Sequence, residues 1–434
     1  MLEKRANIYS SRPPLVMLGD SRGATEYDQA VLAYGDVWRQ HRRLMHTAVG
    51  TQAVRAYRPL QDKEIKVMMR DLLSQPDNFV KAIERYSVSV VSCIGFGRRI
   101  DKMDDNVGQV ALKFMEGVDL VIPGMFLMES MPILLQLPRM IYPLSAKSLG
   151  NGKKMIQFFS ALCKEAGMST QDNFAKGLLR AQQQNGLRDE EIAFLTGNLI
   201  GGGVDTTAST TITFIFAMCV FSDVQKKAQE ELDRVVGDRM PDWQDEARLS
   251  YIRALVDETL RWRTVTILGG IPHANTEEDV FGDYVIPKDT WIAGNIWSIH
   301  RNPTDFPEPD IFRPERFLNE KKPFPSKKGH AAFGWGRRAC SGQPLAEQGL
   351  FMTFARLLWA FDLRPGLDEN GIEQKLDIFA FTESENMRPE PFRVRISPRT
   401  EQKKALILEE AAHARDQLRE FDGITKVELE PLEI

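Results

Sequence analysis

The stretch AAFGWGRRACSG, residues 331–342, sets three glycines, two arginines and two aromatic residues around one of the four cysteines in a chain of 434 residues. A surface turn with a chance cysteine is the plainest reading. The composition of the stretch argues for more. Gly334, Gly336 and Gly342 permit positive φ and a close backbone approach to a flat partner. Arg337 and Arg338 place positive charge beside Cys340, and a helix predicted to begin after Gly342 aims backbone N–H groups at it; both favour thiolate over thiol. A thiolate here is a nucleophile or a metal ligand. No local signature supplies the base a nucleophile needs, whereas a single thiolate is one way in which haem iron is held.

Composition bounds the alternatives. The 56 Lys and Arg against 60 Asp and Glu give a formal charge of −4, so no global basic excess exists to neutralise phosphates, and nucleic acid is not expected as a partner. Cys93, Cys163, Cys219 and Cys340 lie far apart with no CxxC or zinc spacing, which argues against a disulfide framework and fits a reducing compartment. The first three sit in apolar helical stretches and read as core residues. The opening MLEKRANIYSSRPP is charged and polar, unlike a signal peptide or membrane anchor. The longest apolar run, ITFIFAMCVF at 212–221, is too short to span a bilayer. Residues 120–144 are greasier but interrupted by Pro123, Pro132, Pro138 and Pro143, and are read as an interfacial hairpin or a core segment.

No repeat or low-complexity linker divides the chain. Apolar residues recur at three- and four-residue steps through 60–73, 80–95, 107–119 and 153–166, which predicts helices. A long helix is expected to open at the acidic residues after Asp189, a second to run from a Ser222 cap to a Gly237 stop, and a third to cover 249–263. Short strands with Gly and Pro-Lys-Asp turns follow 265, prolines break up 303–325, and helix returns past Gly342. The residues from 398 to 434 are polar and partly helical, and read as an appended tail.

F-x-x-G-x-R-x-C-x-G, filled here by Phe333, Gly336, Arg338, Cys340 and Gly342, resembles the haem-binding signature of the cytochrome P450 family. Four further segments resemble family motifs in the family's order: WRQHR (38–42), GGVDTT (202–207), ETLR (258–261) and PERF (314–317). The resemblance covers residues 1–397 and implies a mainly α fold with small β-sheets. It also implies haem b on an axial Cys340 thiolate, and a monooxygenase that takes two electrons from an NADPH-dependent reductase and one oxygen atom from O2. Sequence pattern and tail look closest to fungal microsomal members of secondary metabolism, at the cytosolic face of the endoplasmic reticulum membrane. A reductase-independent peroxygenase or isomerase, and a non-catalytic haem-binding fragment, are the rival readings.

The resemblance also distributes roles. Trp38, Arg42, His273 and Arg338 are expected to hold the haem propionates, since Arg forks suit carboxylates and Trp or His adds donors. Thr206 is expected to hydrogen-bond oxygen in a groove that Gly201–Gly203 open, with Asp205 relaying protons; a Thr bonded back to its helix beside a solvent-facing Asp is the plainer alternative. Glu258 and Arg261, at i and i+3, meet on one helix face, and the resemblance implies a buried network with Arg316. Residues 18–30, 197–206, 264–270 and 379–382 are mostly apolar or small, and are expected to line a pocket for a lipophilic small molecule. Arg39, Lys327 and Lys328 are candidates for docking an acidic electron donor. Against the eukaryotic pattern of the family, the chain is expected to lack the N-terminal anchor, first helix and first strands. Met1 then falls in the second helix, and TWIAGNIWSI is left with an unpaired edge.

Overall fold

A computed structural model describes the chain except for residues 17–25, 103, 120–126, 128–130, 138–140, 142–143, 385 and 424–434. Its longer helices are α1 (Asp36–Val49), α2 (Arg58–Ser74), α3 (Phe79–Phe96), α4 (Asn106–Asp119), α5 (Leu144–Met168), α6 (Asp189–Val220), α7 (Ser222–Val235), α8 (Ser250–Trp262), α9 (Gln343–Ala360) and α10 (Glu401–Leu418). Among the described residues, three two-stranded antiparallel sheets accompany them. Their strands are β1 (His273–Ala274), β2 (Asp279–Phe281), β3 (Tyr284–Ile286), β4 (Trp291–Ile292), β5 (Phe361–Pro365) and β6 (Val394–Pro398). The molecule is mainly α with small β-sheets.

α6 organises the core. Asp189, Glu190 and Glu191 fill its first turn, where a carboxylate complements the helix dipole. The Glu191 carboxylate accepts the Arg188 backbone N–H at 2.9 Å and caps the start. From there α6 is apolar on every side. Such a helix belongs in an interior or a membrane; α6 packs between α3, α5 and α9, with Phe214 stacked on Phe354 at 3.7 Å. It is long and apolar enough to cross a membrane by length and composition, yet its apolar stretch is mostly buried within the protein.

Most boundaries fall within a few residues of those expected from periodicity. Ser222 is the first residue of α7 rather than its cap, which falls on Phe221, while Gly237 takes φ +69° just past the helix end. Cys93, Cys163 and Cys219 are buried, and burial pushes the thiols of Cys163 and Cys219 up to about 12. The N-terminal residues differ from the expected helix. Residues 2–10 form a run of turns, fastened by Arg5 and Tyr9 to Asp279, with Tyr9 Oη donating at 2.7 Å. Ser11 then bridges to Ala274 of β1, whose other side pairs with β4. β4, in the segment expected to keep an unpaired edge, pairs on one side with β1 and, among the described residues, with no strand on the other.

Residues 401–421 are no loose appendage. α10 lies along α2, with Val67, Ala414 and Leu418 forming a buried cluster that Leu60 and Phe421 complete. Ile407 enters the main core. Arg415 pairs with Asp101 at 2.5 Å, and the Arg99 N–H donates to Phe421 O at 2.7 Å. Apolar residues at 407, 411, 414 and 418 repeat at three- and four-residue steps, giving α10 a face that α2 covers.

Candidate functional site

The Cys340 loop and the middle of α6 face each other across a cavity of about 560 Å³. The loop is shaped by its glycines, two of which require their freedom. Gly334 has φ +71° and Gly336 φ +61°. A Cβ on Gly336 would stand 2.3 Å from Leu2 O. Gly342 differs from the expectation of positive φ: at −81° it caps α9 in ordinary helical space, with Cys340 Sγ as its nearest neighbour. Gly336 itself turns toward Leu2 and is not in the cavity wall, whereas Phe333, Gly342 and Cys340 are.

The Cys340 N–H donates to Phe333 O at 2.9 Å, closing the loop so that the side chain is bare toward the cavity and enclosed by protein behind. That enclosure raises the thiol pKa. Backbone N–H groups of Gly342 and Gln343 at the start of α9, with the Arg42 charge, pull in the opposite direction. The charge near sulfur therefore comes from Arg42, not from the loop's own arginines. Arg337 donates to Tyr34 Oη at 2.8 Å, and Arg338 turns to backbone carbonyls of Ser10, Gln29 and Leu32 at 2.8, 3.2 and 2.6 Å.

One wall of the cavity is cationic. Arg338 stacks over Trp38 at 4.4 Å, Arg42 donates to Ala339 O at 2.6 Å, and Arg12 donates to the carbonyls of Ile271, Pro272 and Ala30. Burial lowers all three guanidinium pKa values, to about 10 for Arg12 and about 9 for Arg338, where the neighbouring arginines add to the effect. No carboxylate pairs with any of them among the described residues. His273 completes the wall; its Nδ1 lies 2.7 Å from Tyr9 O, and burial, reinforced by Arg12, brings its pKa down to about 4. Gln29 contributes an Nε2 that is buried without a hydrogen-bond partner. Partly buried cations that lack a carboxylate are costly alone, and a group with two carboxylates fits this wall. The haem propionates meet that description. Trp38, Arg42, His273 and Arg338 thus come together, joined by Arg12 and Gln29, which no motif marked.

On the facing side, Thr206, Gly201, Gly202 and Gly203 line the cavity. The Gly203 position is closed to any side chain, because a Cβ there would meet Val91 at 2.3 Å. Thr206 Oγ1 donates to Gly202 O at 2.7 Å, the back-bonded geometry of a helical threonine. Asp205 does not reach the cavity wall. Its carboxylate accepts from Arg388 at 2.7 Å and from Ser209 at 3.2 Å, while Arg388 also donates to Glu84 at 3.0 Å. The solvent-facing Asp205 of the plainer alternative is replaced by this ion pair, and Arg388 is a residue that the sequence did not single out.

Behind the loop, Glu258 and Arg261 are fully buried and doubly bonded, at 2.6 and 3.0 Å. Glu258 also accepts the Arg313 N–H at 2.7 Å and faces Arg316 Nε at 3.5 Å. Arg261 and Arg316 reach onward to carbonyls of Pro309, Ile311 and Glu308. The irregular segment leading toward Cys340 is therefore tied to α8. Buried His300 adds a second tie, its Nε2 accepting the Ala331 N–H at 2.9 Å.

The expected lining holds in part. Residues 17–25 lie outside the described residues, but Asp28, Gln29, Ala30 and Val31 line the cavity, as do most of 264–270. Phe379 and Phe381 do not: Phe381 packs on Trp262 and Phe216, and Phe379 stands over Arg263. Asn386 takes that side of the wall instead. Of the candidate docking cations, Arg39 pairs with Asp36 and Lys328 with Glu347, whereas Lys327 stays exposed.

A family model, Cytochrome P450, matches residues 1–387. Cytochrome P450 monooxygenase virE of Hypocrea virens is 35% identical over 431 residues, covering 94% of this chain and 77% of the relative. Cytochrome P450 monooxygenase fogE of Aspergillus ruber is 34% identical, covering 94% of this chain and 78% of the relative. Cytochrome P450 monooxygenase fsoB of Humicola fuscoatra is 34% identical, covering 86% and 72%.

Proposed function

Since the chain belongs to the cytochrome P450 family and is an enzyme of the monooxygenase class, we propose that Cys340 is the axial ligand of a haem b. On this reading the enzyme inserts one oxygen atom from O2 into a lipophilic small molecule of fungal-type secondary metabolism. The observation that carries the cofactor assignment is the pairing, in one cavity, of a bare cysteine with three arginines that have no carboxylate partner among the described residues. When bound, haem supplies the redox chemistry that activates O2, with thiolate sulfur donating electron density to iron.

The residues around it do the rest. Arg12, Arg42, Arg338, His273 and Trp38 hold and orient the propionate edge through charge-assisted bonds. N–H groups of Gly342 and Gln343 donate to the Cys340 sulfur and temper its basicity. Thr206 presents a hydroxyl at the cavity surface whose proton is held by Gly202 O, so its oxygen is oriented to accept a proton as that bond is given up and its own proton is passed on. Asp205, with Arg388 and Glu84, forms a charged cluster one residue away from which protons reach Thr206. Glu258, Arg261 and Arg316 take no part in chemistry and hold the Cys340 loop in register. Apolar walls at Val90, Val91, Leu199 and Leu268 favour a lipophilic substrate.

Electrons come, on this reading, from NADPH-cytochrome P450 reductase docking near exposed Arg39, Arg43, Arg337 and Lys327. Membrane contact at the endoplasmic reticulum through residues 120–144 is supported by exposed Leu127, Met131, Ile133, Leu137 and Ile141. The test is the reduced carbon monoxide difference spectrum of the reconstituted protein. A thiolate-type Soret band that disappears in Cys340→Ala is expected; a histidine-type band or failure to take up haem would refute the assignment. Reductase-dependent NADPH oxidation then separates a monooxygenase from a haem carrier.

A further inference from the structure

Among the described residues, two side-chain amides in the cavity wall hold a buried N–H2 group with no acceptor: Gln29 Nε2 and Asn198 Nδ2. Gln29 stands in the cationic wall and belongs with it. Asn198 is elsewhere, on α6 between Phe194 and Gly202, on the i, i+4 stripe that continues to Thr206 and Thr210. The threonines of that stripe are satisfied, Thr206 by Gly202 O and Thr210 by Thr206 O at 2.8 Å. So are other polar groups of the wall: Ser87 donates to Gly203 O at 2.7 Å, and Gln61 Nε2 to Leu345 O at 3.3 Å. Asn198 alone on its stripe keeps an unused amide donor, in a cavity that the apolar Val90, Val91 and Leu199 also line. Shielding such a donor without an acceptor is unfavourable, and a ligand oxygen removes the penalty once the amide turns toward the cavity.

We propose that Asn198 determines specificity by donating a hydrogen bond to an acceptor oxygen, a ketone or hydroxyl, on an otherwise lipophilic substrate. Eight residues separate Asn198 from Thr206, about 12 Å along the helix at its rise per residue. The acceptor therefore lies at the end of the substrate remote from the carbon that is oxidised. The substrate is elongated and already oxygenated, so an earlier oxygen-introducing or oxygen-retaining step must supply it. A site built around an unmet donor rejects the analogue that lacks the acceptor more strongly than an apolar wall rejects a missing methylene.

This inference rests on haem being held by Cys340. Its test uses the holoenzyme and 1-dodecylimidazole, whose ring nitrogen ligates haem iron, alongside analogues with a ketone at successive carbons of the dodecyl chain. Affinities are read from the Soret shift. Wild type is expected to show an affinity maximum at one ketone position, roughly tenfold tighter than 1-dodecylimidazole. Asn198→Leu is expected to bind 1-dodecylimidazole undiminished and to lose that maximum. Asn198→Val, of smaller volume, serves as the second variant where leucine overfills the site. Absence of a ketone preference in wild type, or its survival in both variants, overturns the proposal. Failure of wild type to take up haem at all would strike instead at the Cys340 assignment.

Discussion

At Gly336 a single hydrogen decides whether the loop can close. Its φ of +61° and the Leu2 carbonyl 2.3 Å from a notional Cβ leave no place for alanine. Gly336→Ala is expected to cost at least about 1–2 kcal/mol from the left-handed backbone alone, read as a lower melting temperature and a reduced haem-to-protein ratio. Gly342→Ala, at φ −81° with Cys340 Sγ at 3.8 Å, meets only ordinary contact and is expected to melt within a few degrees of wild type. If the two variants behaved alike, the loop geometry described above would be wrong. Glu258 presents a different single-residue case. It accepts from Arg261 and Arg313 with no exposure to solvent. Glu258→Ala leaves a buried guanidinium uncompensated, and the expected loss is about 3–5 kcal/mol, measured by urea unfolding and by the yield of folded protein.

Among elements, α10 shows how local pattern can be present and still be misjudged. Its sequence is polar overall, so composition marks it as a tail, while Ile407, Ala411, Ala414 and Leu418 form a stripe that is buried on α2. Ile407 and Leu418 are each fully buried, worth about 1.5–3 kcal/mol apiece. Removing residues 400–434 is therefore expected to lower the melting temperature and to open the α2–α10 groove to limited proteolysis; an unchanged melt would show α10 to be dispensable. The long helices were legible because apolar periodicity is written within one element. The Cys340 loop, the Thr206 helix and the Glu258–Arg261 pair were marked by short motifs. Arg12, Gln29 and Arg388 were not, since their roles arise from neighbours far off in sequence: Arg388 meets Asp205 across 183 positions and Arg12 meets Ile271 across 259. The ion pair of Asp205 was hidden for the same reason, because adjacency to Thr206 gave no hint of Arg388.

For the whole molecule, three buried histidines govern stability in mild acid. His41, His273 and His300 all have pKa values below the ordinary 6.5, chiefly through burial; His273 falls to about 4. Above about pH 6.5 both folded and unfolded chains carry them neutral. As pH falls below that value the unfolded chain binds protons that the folded chain refuses, so stability declines until the folded pKa values are reached. Each histidine contributes up to about 1.4 kcal/mol per pH unit in that window. Melting temperature is expected to fall between about pH 7 and about pH 5, and His300→Gln, which keeps an acceptor near the Ala331 N–H, to flatten the slope. A pH-independent melt would contradict the burial of these rings. The cationic wall carries a different consequence, for the order of events during synthesis. Arg338 is anchored by the carbonyl of Ser10, 328 positions earlier. At translation rates of roughly 5–20 residues per second, the two emerge on the order of tens of seconds apart. A nascent chain thus cannot complete this wall until Arg338 has left the ribosome, and capture of the prosthetic group waits for that moment.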